Sequence, residues 1–107
     1  KEEADKIYKD SLLLEKAGCF AIVLEKIPAK LGTKISKALK IPTIGIGAGP
    51  SCDGQVLVTH DMLGFIEEFK PRFVRRYANM AVDSKEAFKK YIKDVKSEKF
   101  PTLKESY

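Results

Sequence analysis

Three stretches of this chain carry side chains able to do chemistry, and each follows an apolar run. Glu25 ends the run Phe20-Ala21-Ile22-Val23-Leu24. A carboxylate in that place is costly unless it meets a polar cavity or a partner. Two readings stay open for it. One is a general base made more basic by its apolar neighbours; the other is a salt bridge with Lys26 or another nearby cation. Gly45-Ile46-Gly47-Ala48-Gly49 could cradle an anion with backbone N–H groups, or could simply give room where backbone passes close to a neighbour. Its GxGxG spacing, with Pro50 following, is not a dinucleotide fingerprint, which favours the steric reading. His60-Asp61 is the third stretch. Adjacent residues on a strand point to opposite faces, and the single histidine has no companion at metal spacing, so a structural histidine is expected. Cys19 and Cys52 stand far apart without CxxC spacing and read as small apolar or loop residues. The metal-ligand expectation for this chain is therefore none.

These residues need elements to position them. Apolar residues Ile7, Leu14 and Ala17, with Ser11 at the same spacing, predict a helix over 3–17 that stops at Gly18. Residues 20–24 are apolar without alternation, which fits a strand buried on both faces of a parallel sheet. Leu31, Ile35, Ala38 and Leu39 mark a second, shorter helix. Residues 41–46 and 55–58 read as two more strands, the second opened by the turn pair Asp53-Gly54. Two helices are then expected, over 71 to about 81 and 84 to about 98, the latter capped by Asp83 or Ser84. Helix alternating with doubly apolar strands predicts the α/β class with parallel pairing. Three such strands alone would leave apolar side chains and ladder groups bare. The chain thus fits the C-terminal portion of a (β/α)₈ barrel, which takes about 250 residues, and 1–107 reads as a single partial domain. The first residue, Lys1 rather than Met, points the same way.

Composition narrows the partners. The 107 residues are 44% hydrophobic with a net charge of +5, which excludes a disordered chain. No run approaches the ~20 apolar residues of a membrane span. No signal peptide is visible, and a reduced, cytoplasmic setting fits two isolated cysteines. Twenty Lys and Arg against 15 acids admit nucleic acid as a partner. However, the charges interleave as on solvated helix faces. In the one basic cluster, Lys70, Arg72, Arg75 and Arg76, the aromatics Phe69, Phe73 and Tyr77 recur every fourth residue, as on a buried helical stripe. The expectation is small-molecule substrates, with neither nucleic acid nor membrane as partner.

Read together, three segments resemble the ketopantoate (3-methyl-2-oxobutanoate) hydroxymethyltransferase family of the pantothenate pathway. They are Val23-Leu24-Glu25-Lys26-Ile27-Pro28, Ile41-Pro42-Thr43-Ile44-Gly45-Ile46-Gly47-Ala48-Gly49, and Asp53-Gly54-Gln55-Val56-Leu57-Val58 with His60-Asp61. The resemblance runs from the first helix to Phe100-Pro101. It implies the C-terminal part of a (β/α)₈ barrel, with the N-terminal part supplying the ligands of a Mg²⁺ ion. It also implies transfer of a hydroxymethyl group from 5,10-methylenetetrahydrofolate to 2-oxoisovalerate (3-methyl-2-oxobutanoate), giving ketopantoate. The family's proton acceptor falls on Glu25. Ile46 and Val56 would wall the substrate's isopropyl group, and Lys26 receives no role. Homo-oligomers are implied too, with Phe73, Tyr77, Phe88, Tyr91 and Ile92 available to an interface. The competing readings are a related barrel of the phosphoenolpyruvate-binding type and a small basic nucleic-acid-binding module.

Overall fold

A computed structural model describes residues 2–107, which divide into two compact units. The first comprises residues 2–58 together with Arg72–Val74; the second comprises Thr59–Pro71 and Arg75–Tyr107. The class is α/β with parallel strands, as expected.

In the first unit, helix α1 (Glu2–Lys16) opens with Glu2, Glu3 and Asp5 and closes with Lys16, charges that complement its dipole. Gly18, at φ 98°, lets the chain leave the helix. Strand β1 is Ile22–Glu25, two residues later at its start than the apolar run suggests. Phe20 lies before it and is 90% exposed. Helix α2 (Ala29–Ala38) follows Pro28, whose fixed φ suits a helix entrance. Strands β2 (Thr43–Ile46) and β3 (Gly54–Gln55) complete a parallel sheet in the order β1-β2-β3.

The core is one-sided. Ile22 and Leu24 of β1 pack with Leu31, Ile35, Leu39 and Ala48, backed by Ala4, Ile7 and Tyr8 of α1. Burial alternates along β1, and Val23 on its other face is 61% exposed. The expectation of a strand covered on both faces is corrected: both helices of this unit lie over one face. Glu15 of α1 also ties the α2–β2 loop, its Oε1 accepting from the N–H groups of Lys40 (2.5 Å) and Ile41 (3.0 Å).

In the second unit a short helical turn, α3 (Thr59–Met62), ends at Gly64 with φ 70°, and helix α4 spans Met80–Lys96. The helix expected over 71–81 is absent, and Asp83 lies inside the first turn of α4 rather than capping it. Competing bonds explain the loss. Arg76 Nη2 donates to the carbonyls of Ile66, Glu67 and Phe69, while the N–H groups of Tyr77, Met80 and Ala81 go to Met62, Leu63 and Gly64. The aromatic stripe dissolves with the helix: Phe69 and Tyr77 are exposed, and Phe73 belongs to the other unit. Phe88, Tyr91, Ile92 and Val95 on α4 are exposed, with Tyr91 edge-on to Phe100. No helix among the described residues is long and apolar enough to cross a membrane.

Candidate functional site

The carboxyl ends of the three parallel strands lie at one end of the sheet, where ligands meet parallel α/β architectures. Glu25 is the last residue of β1 and stands opposite Ile46, the last of β2. The next N–H, that of Lys26, donates to the Ile46 carbonyl at 2.9 Å, and Lys26 itself turns the chain away with φ 49°. On the other side Gly45 faces Gln55, and the Val56 N–H donates to the Gly45 carbonyl at 2.9 Å. Position 56 therefore continues the register opposite 46.

Strand parity places Val23, Glu25, Ile44, Ile46 and Val56 on the face away from the helices. Glu25 and Val56 are exposed and Ile46 is half-buried. The three residues singled out from the sequence thus form one row across three strands, a carboxylate at one side and two aliphatic side chains beside it. No salt bridge engages Glu25 among the described residues.

The glycine-rich exit is steric. A Cβ on Gly32 of α2 would lie 2.3 Å from the Ala48 carbonyl oxygen, and one on Gly49 would lie 2.5 Å from Ala29 Cβ. The loop therefore seats directly on α2. Gly47, at φ 69°, carries Phe73 where its own Cβ would be, 3.0 Å from the Phe73 Cγ.

Sequence reasoning passed over the residues that hold β3. Asp53 Oδ2 accepts from the Thr43 N–H (2.8 Å) and the Thr43 hydroxyl (3.0 Å), and the Asp53 N–H donates back to Thr43 Oγ1 (3.3 Å). Ser36 Oγ lies 2.7 Å from the same hydroxyl. The Thr43 bonds hold the Asp53 carboxyl below the ordinary aspartate range, the backbone N–H contributing most. The available signal was Thr43 itself, a hydroxyl within an apolar strand that needs a partner if buried. Gln55 adds a tie, its Nε2 donating to the Gly49 carbonyl at 2.9 Å.

His60 and Asp61 lie in the α3 turn rather than at a strand end, and His60 is exposed with its ring tilted against Phe65 at 5.2 Å. Both cysteines are free thiols. Among the described residues no group of three His, Cys, Asp or Glu could hold a metal ion.

Comparison with known proteins gives this row its setting. A family model described as ketopantoate hydroxymethyltransferase matches residues 1–103. The chain is 58% identical over 106 residues to the 3-methyl-2-oxobutanoate hydroxymethyltransferase of Chlorobaculum tepidum, covering 99% of this chain and 38% of that protein. The Porphyromonas gingivalis protein of the same name is 60% identical over 105 residues, covering 98% and 38%. That of Trichlorobacter lovleyi is 52% identical over 107 residues, covering 100% and 40%. The chain spans well under half the length of the curated relatives it matches. With nearly every residue inside that match, the chain belongs to the ketopantoate hydroxymethyltransferase family.

Proposed function

We propose that residues 1–107 form one partial domain, the C-terminal, base-bearing portion of a (β/α)₈ barrel. The longer protein would transfer a hydroxymethyl group to 3-methyl-2-oxobutanoate, giving ketopantoate in pantothenate synthesis. The observation that carries this is the row Glu25, Ile46, Val56 at the carboxyl end of the sheet, on the face the helices leave open. In a closed barrel that face turns inward, so the remaining strands desolvate what is bare in this chain.

Glu25 takes the proton from the carbon that bears the two methyl groups, next to the ketone. That carbon then bonds to the one-carbon unit of 5,10-methylenetetrahydrofolate. Water supplies the hydroxyl, and tetrahydrofolate leaves. Ile46 and Val56 lie against the isopropyl group and hold the scissile C–H toward the carboxylate. A carbon acid of this kind is weak, so the base must be close, aligned and poorly hydrated.

The described residues of this chain do not fit the Mg²⁺ that the family resemblance implies. Its ligands are assigned to the part of the longer protein outside this chain, and the steps above do not run through it. By itself the chain is expected to be inactive. The longer protein is read as a cytoplasmic homo-oligomer, for which the exposed Phe88, Tyr91 and Ile92 of α4 offer apolar surface.

The test is proton exchange. The full-length protein, incubated with 3-methyl-2-oxobutanoate in deuterated water, should exchange the substrate's single methine proton without folate and form ketopantoate only with it. Absence of exchange would overturn the reading.

A further inference from the structure

We propose that Asp53 is a positioning residue for substrate recognition: its bonds to Thr43 set the register of β3 and thereby place Val56 beside Ile46. The inference rests on the reading above that this row meets the keto acid.

Parallel neighbours are normally joined by a crossover of a dozen or more residues, usually through a helix. Here residues 47–53 make the connection without one, and the β2–β3 ladder pairs only Ile44 with Gly54 and Gly45 with Gln55. So short a ladder fixes register weakly. A slip of one residue would turn Val56 from the open face to the helix face.

Two features oppose the slip. Gly54 lies under Ile44, whose Cδ1 would stand 2.9 Å from a Cβ at that position, so the register demands glycine opposite Ile44. Asp53, immediately before it, is bound to the first residue of β2 by three hydrogen bonds. Thr43 is fully buried, and its hydroxyl donates to Asp53 while accepting from the Asp53 N–H. Its remaining acceptor site falls to the Ser36 hydroxyl of α2, at 2.7 Å. Any other register would leave this buried hydroxyl short of partners.

The lock acts on one side of the row only. Glu25 sits on β1, which has its own four-residue ladder to β2, from Ile22 opposite Thr43 to Glu25 opposite Ile46. Loss of Asp53 should therefore misplace the apolar wall while leaving the base where it is. That separates this role from a merely structural one, because KM should move and kcat should not.

The experiment uses the full-length protein and methine-proton exchange of 3-methyl-2-oxobutanoate. Asp53→Ala should raise KM about tenfold, the scale of a lost aliphatic contact, with kcat within about twofold of the parent. Asp53→Asn, which keeps an oxygen acceptor, should restore most of the loss. Val56→Ala should give a similar rise, and the double variant should add nothing to either single one. If Asp53→Ala does not accumulate, Thr43→Val reads the same lock and should raise KM likewise. An unchanged KM in Asp53→Ala, or in Thr43→Val where it replaces that variant, or full additivity with Val56→Ala, would overturn the positioning role alone. A parent protein that exchanges no proton would instead overturn the reading of the row.

Discussion

The carbonyl oxygen of Ala48 occupies the space that a Cβ on Gly32 would need, at 2.3 Å. The strand exit of β2 and the helix α2 therefore touch backbone to backbone. In the full-length protein Gly32→Ala should destabilise by about 1–3 kcal/mol through overpacking, exceeding the ~1 kcal/mol that alanine gains over glycine in a helix. Thermal melting checks this, and an unchanged or raised Tm would show that the loop can yield.

Glu25→Gln should slow exchange of the methine proton by about 10²–10⁴-fold. The amide keeps the size and hydrogen bonding of the carboxylate but cannot accept the proton. Folding should be little affected, since Glu25 makes no salt bridge among the described residues. Exchange near the parental rate would reduce Glu25 to a surface carboxylate at a strand end.

Lys26 holds a left-handed conformation immediately after the catalytic candidate, with φ 49°. Lys26→Gly should be close to neutral for stability, because glycine adopts that region freely. Lys26→Val should cost about 1–3 kcal/mol, since a β-branched residue resists it. Equal melting temperatures for the two variants would mean that the turn relaxes to another conformation.

Asp53 supplies a pH dependence. Its carboxyl titrates below the ordinary range in the folded state because the Thr43 N–H, then the Thr43 hydroxyl, favours the charged form. The associated stability is fully present above the unfolded value near ~3.9 and is lost as pH falls from there through the lower folded value. The full-length parent should thus lose Tm between about pH 4 and more acid conditions, and Asp53→Asn should lose less over the same interval. Parallel curves would count against the bond's strength.

Arg76 organises the segment before it by donating to three carbonyls, at 3.0 Å for both Glu67 and Phe69. Arg76→Ala should hand those acceptors, none of them buried, back to water, at a net cost of about 0.5–1.5 kcal/mol for each bond lost. Limited chymotrypsin digestion should then cut faster after Phe69, which is exposed, in the full-length variant than in the parent. Unchanged cleavage would place the order of residues 65–70 elsewhere.

The sequence by itself determined the parallel α/β class and the end of the sheet at which Glu25 lies, and it favoured the steric use of Gly47-Ala48-Gly49 that the backbone approaches then decided. Those follow from periodicity, apolar runs and glycine placement, which are local in the chain. It also determined the family, because motif order and spacing survive without coordinates. Tertiary structure decided the rest. The helix expected over 71–81 had helical spacing, yet the carbonyls of residues 66–69 claimed Arg76, and N–H groups of residues 77–81 went to residues 62–64. The doubly apolar reading of β1 failed within this chain because α1 and α2 lie on one face only. The lock that we propose for the register bringing Val56 to Ile46 is Asp53, which in one dimension is a turn residue before glycine. Its carboxylate has a structural role only because the fold returns it to Thr43, ten positions back, where a buried hydroxyl and an N–H need an acceptor.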